Sequence, residues 1–161
     1  PEMSGIQVSS ILIDKITNSP TNFFVANFAN GDIVGHTGNF EAGVKAVKYL
    51  DRFLEKIMEA ALSVDAALVI TADHGNIEQM LNNKTGEIDK DHTTNPVPFL
   101  LVAQEFRFKQ PKTRNYLSLS ARTPDGVISD IAPTILDLFG IPKPAEMNGI
   151  NLLDCIGSDN Q

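Results

Sequence analysis

With 161 residues, 42% of them hydrophobic, the chain can bury a core of single-domain size without a disulfide framework or a structural metal. Twenty acidic side chains against 13 basic ones give a formal net charge of -7, and the basic residues are scattered, which argues against a nucleic-acid-binding surface. No apolar run approaches the roughly 20 residues of a membrane span, and Pro1-Glu2-Met3-Ser4 lacks the basic and apolar regions of a signal peptide, so a cytoplasmic protein with no membrane partner is expected.

The start at Pro1, without an initiator methionine, suggests a processed product or a piece of something longer. Val8 among Ile6, Ile11, Leu12 and Ile13 predicts a short amphipathic helix, capped by Ser4 and ending near Asn18-Ser19-Pro20. Phe23 to Phe28 is an apolar run of strand length that suits a covered sheet. After a turn at Asn30-Gly31-Asp32, apolar residues from Val44 through Val47, Leu50, Phe53, Leu54, Ile57, Met58 and Ala61 keep a helical period to about Leu62. A second buried strand, Ala66 to Thr71, delivers Asp73 and His74 at its carboxyl end.

Two strands flanking one long helix predict a βαβ crossover, whose ligands lie off the carboxyl ends of parallel strands. Asn82 to Gly86 carries hairpin-like turn chemistry, and Pro98 to Ala103 returns as a third strand with His92 just before it. Phe106 to Pro124 reads as irregular surface chain, its basic stretch Arg107 to Arg114 as a solvated loop face. Ser129 to Gly140 reads as a helix capped by Asp130, with Pro133 in its first turn and Gly140 as its stop. A loop through Pro142, Pro144 and Asn148-Gly149 leads to a short final element, where the single Cys155 reads as a packing residue in a reducing compartment. No internal repeat or dividing linker is visible.

All three histidines lie near aspartates at these strand ends or loops: Asp32 with His36, Asp73 with His74, and His92 after Asp91. Imidazole nitrogen with carboxylate oxygen is the donor mixture that holds borderline divalent metals. Each pair alone also reads as a helix cap, a closed turn or a histidine at a sheet edge; their convergence on one rim is what favours a metal. The hydroxyls of Thr37, Thr71, Thr93 and Thr94 serve ordinary turn and cap bonds as readily as they orient ligands, so none is carried as a site residue.

The stretches Asn27-Phe28-Ala29-Asn30-Gly31-Asp32-Ile33-Val34-Gly35-His36-Thr37-Gly38, Thr71-Ala72-Asp73-His74-Gly75-Asn76 and His92-Thr93-Thr94-Asn95-Pro96-Val97-Pro98 resemble signatures of the cofactor-independent phosphoglycerate mutases, a family of the alkaline phosphatase superfamily. Pro1 to Ser4, Asp130 to Thr134 and Pro144 to Gly149 agree as well, so the resemblance covers nearly the whole chain. It implies an α/β fold, a three-layer mostly parallel sheet with helices on both faces, of which residues 1–161 form the incomplete C-terminal portion of the metal-binding domain. By position it assigns Asp32, His36 and His92 to one metal ion, and Asp73 and His74 to a second. The full-length enzyme would hold two divalent ions, manganese first, with zinc, cobalt or magnesium as alternatives; the isolated chain would take up about one.

The resemblance further implies interconversion of 3-phosphoglycerate and 2-phosphoglycerate, in glycolysis and gluconeogenesis, through a phosphoserine intermediate. No counterpart of the family's Asn-Ser-Glu-Val-Gly-His nucleophile segment, or of its arginine-rich substrate-gripping domain, occurs in these residues. The chain alone is therefore expected to be inactive, with no catalytic residue of its own beyond the metal ligands. A full-length monomer is expected, and a truncated sheet edge could drive self-association of the fragment. The alternatives are a stand-alone metal-binding or interaction module of the same fold, or a fragment of another superfamily phosphatase or phosphopentomutase.

Overall fold

A computed structural model describes residues 2–82, 84–106 and 123–155. The expected solvated face at 107–114 lies outside the described residues. The chain forms two compact units, Pro1–Arg107 and Phe108–Gln161.

The first unit is organised by its longest helix. Helix α1 runs Gly5–Asn18, α2 runs Asn30–Gly35 and α3 runs Phe40–Ser63. Asn39 caps α3 by accepting a hydrogen bond from the Ala42 N–H at 3.0 Å. The other end of α3 closes when Asp65 turns left-handed, at φ 57, and the Ala66 and Asp65 N–H groups bond back to the carbonyls of Ala61 and Leu62. Along α3 the buried positions are Gly43, Ala46, Phe53, Ile57, Ala60 and Ala61, while Val44 and Val47 are exposed. The small residues mark the contact face of its first turns, so the stripe is set there by close approach rather than by side-chain bulk. Helix α1 lies on α3 through Gly5, where a Cβ would strike the Phe53 ring, and through buried Ser9. It ends before Pro20 as expected, but Ser4 supplies no side-chain cap.

Strand β1, Leu68–Thr71, pairs with β2, Phe99–Val102, in the register Leu68↔Val102 to Thr71↔Phe99. The pairing is antiparallel, and the expected parallel crossover is not among the described ladders. Phe23 to Phe28 forms no strand; it rests on α3 through Phe28, whose ring stacks on Phe53 with centroids 6.0 Å apart. An apolar run reports that a segment is covered and extended, whereas its ladder partner is chosen by geometry that periodicity does not carry. The α/β class stands, as helices packed with a small two-stranded sheet among the described residues.

Between β1 and β2 the chain makes a long irregular hairpin, stitched by the bridges Gly75↔Thr93 and Leu81↔Ile88. Its tip is the turn expected at Asn82 to Gly86: the Asn82 side-chain oxygen accepts from the N–H groups of Lys84 and Thr85, and Gly86 takes a φ of 71 that favours glycine. Both legs of this hairpin leave the same end of the β1/β2 ribbon.

In the second unit a 3-10 turn, Ile128–Asp130, enters helix α4, Ile131–Leu138. Asp130 does not cap the α4 N–H groups as expected. Its buried carboxylate accepts from the Val127 and Ile150 N–H groups, both at 2.8 Å, tying the helix start to the C-terminal loop. Buried Thr134 extends the tie, donating to the Asp130 carbonyl at 2.6 Å and accepting from the Leu152 N–H at 2.9 Å. Pro133 sits in the first turn, and Gly140, at φ 65, ends the helix where the sequence places the stop. Cys155 is half-buried in the final 3-10 turn, Leu152–Cys155.

Candidate metal centre

Helix α2 begins at Asn30, in place of the turn expected at Asn30-Gly31-Asp32, so Asp32 lies inside its first turn. The His36 N–H bonds to the Asp32 carbonyl at 3.2 Å, and residues one helical turn apart share a face. Their side chains meet there, with His36 Nε2 3.3 Å from Asp32 Oδ1. The buried amide of Asn30 anchors the helix, donating to the Glu2 carbonyl at 3.0 Å.

Asp73 and His74 occupy the bend that follows β1, and His92 lies on the returning leg of the hairpin. The Thr93 N–H donates to the Gly75 carbonyl at 2.9 Å and draws the two legs together. The His74 and His92 rings stack at a centroid distance of 3.7 Å, with His36 5.1 Å from His92. His92 Nε2 then stands 3.2 Å from Asp32 Oδ1, the same oxygen that His36 faces. Three segments far apart in sequence therefore converge on one carboxylate.

Four of the five expected ligands join this convergence. Asp32, His74 and His92 offer donor atoms within 4.8 Å of one another, and His36 joins through Asp32. Asp73 stands outside: its side chain is 87% exposed and, among the described residues, is paired with His74 at 3.6 Å. His74 thus lies nearer to Asp32 and His92 than a clean division into three ligands and two suggests.

The donor set suits a divalent ion. Bonds of about 2.0–2.1 Å to tetrahedrally disposed ligands separate those ligands by roughly 3.3 Å, and the two Asp32 to imidazole distances are 3.3 and 3.2 Å. Three imidazoles around one carboxylate also exceed what a single histidine–aspartate hydrogen bond requires.

Two neighbours of these side chains are not singled out by the sequence. Asn76 is buried, and its Nδ2 donates to Asp32 Oδ1 at 2.7 Å while standing 3.2 Å from His36 Nε2. Glu78 gathers donors from both hairpin legs: the Asn76 N–H at 2.7 Å on Oε2, and the Thr93 hydroxyl and Asn95 Nδ2 on Oε1. Partial burial is the largest influence on the Glu78 carboxyl and pushes it up. The donors on it, from Thr93, Asn95 and the backbone of Glu78 and Asn76, outweigh that and hold it below the ordinary glutamate range. The signal available in sequence was position alone, since both follow Asp73-His74 within one short loop.

Residues 1–143 match the Metalloenzyme superfamily. The chain is 44% identical over 153 residues to a 2,3-bisphosphoglycerate-independent phosphoglycerate mutase of Pseudomonas fluorescens strain Pf-5, a match covering 95% of this chain and 27% of that protein. It is 42% identical over 154 residues to the protein of the same name from Clostridioides difficile strain 630, covering 95% and 28%. Among solved structures, that of a Leishmania mexicana phosphoglycerate mutase at low cobalt concentration superposes with a TM-score of 0.73 and 25% identity, over 93% of this chain and 28% of that one. The chain thus spans between a quarter and a third of the length of the curated relatives it matches.

Proposed function

Because the chain belongs to the Metalloenzyme superfamily, we propose that it is the C-terminal metal-binding portion of a 2,3-bisphosphoglycerate-independent phosphoglycerate mutase, which interconverts 3-phosphoglycerate and 2-phosphoglycerate through a phosphoserine. The observation that carries this reading is the meeting of His36 and His92 at Asp32 Oδ1, with His74 beside them. Residues 1–161 form one portion of the metal-binding domain, and the serine nucleophile and the phosphoglycerate-gripping groups come from polypeptide outside them.

Asp32, His36, His92, Asp73 and His74 are the ligands in this reading, manganese is the preferred metal, and zinc, cobalt and magnesium are the competitors. Bound divalent ions lower the pKa of a coordinated hydroxyl and neutralise charge on a transferring phosphoryl group. This chain's part is to hold the donors at fixed spacing: α2 presents Asp32 and His36, and the hairpin legs present His74 and His92 to the same point. In this reading the full-length protein acts as a monomer in the cytoplasm. No helix among the described residues is long and apolar enough to cross a membrane.

A chimera tests the proposal. This chain replaces the matching 27% of the Pseudomonas fluorescens relative, and 2-phosphoglycerate formation is followed with manganese present. We expect turnover by the chimera and none by the 161-residue chain alone. A chimera that folds and binds manganese yet leaves 3-phosphoglycerate unchanged contradicts the mutase reading and favours a stand-alone metal-binding module.

A further inference from the structure

We propose that Asn76 and Glu78 are positioning residues that form one hydrogen-bonded brace across the three ligand-bearing segments and preset the spacing of Asp32, His74 and His92. The inference rests on the reading of those side chains as metal ligands and assigns a role to residues that are not ligands.

The brace can be followed atom by atom. Asp32 Oδ1 accepts from Asn76 Nδ2, and the Asn76 backbone N–H donates to Glu78 Oε2, each at 2.7 Å. Glu78 Oε1 accepts from the Thr93 hydroxyl and, at 3.0 Å, from Asn95 Nδ2. Thr93 follows His92 directly, and its N–H returns to the Gly75 carbonyl at 2.9 Å. Helix α2, the Asp73-His74 bend and the His92 leg are thereby joined without a ligand-to-ligand contact.

The packing around the brace is closed. A Cβ on Gly35 would collide with the Asn76 side-chain oxygen, and one on Gly75 would collide with the Thr93 hydroxyl and the Glu78 carboxylate. Glycine at both positions lets the brace lie directly against the backbone that carries the ligands. The amide also fixes which lone pairs of Asp32 remain open: Asn76 occupies one direction at Oδ1, and the carboxylate is held where His36 and His92 face it. Partners of this kind commonly carry 10–100-fold in metal affinity.

The test uses the 161-residue chain and cobalt(II), read by calorimetric affinity and by the visible absorption band of the saturated protein. Asn76→Ala and Thr93→Val should each weaken cobalt binding by about 10–100-fold and shift the band, because the ligand field at Asp32 or His92 changes. Thr93→Ser keeps the hydroxyl and should restore affinity to within about twofold of the parent, a rescue that a packing role for the threonine methyl would not produce. Variants that fold, bind cobalt as the parent does and show its band would overturn the brace. If Asn76→Ala fails to fold, the Thr93 pair decides alone. A parent chain that takes up no cobalt would instead overturn the metal reading, and the brace with it.

Discussion

Glu78 shows how an exposed side chain can matter through what it collects rather than through burial. Its carboxylate receives donors from Asn76, Thr93 and Asn95, and those bonds favour the charged form. Its folded-state pKa is therefore depressed, and the sign of the linkage follows: the stabilisation is fully present above the unfolded value of about 4.3 and is lost as pH falls through the lower folded value. Glu78→Gln should remove part of that acid dependence. Thermal melts of the metal-free chain between about pH 3 and 6 should show a smaller loss on acidification in the variant than in the parent; parallel curves would contradict a stabilising role for this carboxylate. The five aspartate and histidine positions stand out in sequence because histidine beside aspartate is chemically distinctive. Asn76 and Glu78 did not, since an amide and a carboxylate in a loop look like ordinary solvated groups until the fold sets them against Asp32 and Thr93.

Helix α3 was the most legible segment, because a 24-residue helix repeats its apolar spacing often enough to override local ambiguity. Its start is also written locally: Asn39 is extended and accepts the Ala42 N–H. Asn39→Ala should cost about 1 kcal/mol, measured as a lower denaturation midpoint with the metal site untouched; an unchanged midpoint would show that the cap is replaced by solvent. Shorter elements were less legible. The Asn30-Gly31-Asp32 composition signals a turn, yet α2 begins at Asn30, whose buried amide is anchored on the Glu2 carbonyl 28 residues earlier. Asp130 likewise looked like a cap, and its carboxylate is committed to Val127 and Ile150 instead. In both, a long-range hydrogen bond decides what a local pattern leaves open. The strand partners follow the same logic. The apolar runs at Leu68–Thr71 and Phe99–Val102 were visible, but their antiparallel register depends on the hairpin between them, and Phe23 to Phe28 settles on α3 without a ladder.

Taken whole, the chain carries a site that no single segment could make. Helix α2 contributes Asp32 and His36, the two legs of one hairpin contribute His74 and His92, and the bridge at Gly75 and Thr93 sets their separation. Short polar links between adjacent loops hold these side chains together. The spacing of these side chains is set within residues 32–95, which lie inside the matched Metalloenzyme region, residues 1–143. The most direct measurement is the metal content of the 161-residue chain after manganese loading and gel filtration, beside that of His92→Ala. The site described here predicts about one ion per parent chain and its loss in the variant; a parent chain that emerges without metal, or a variant that retains it fully, would contradict the convergence of these ligands on an ion.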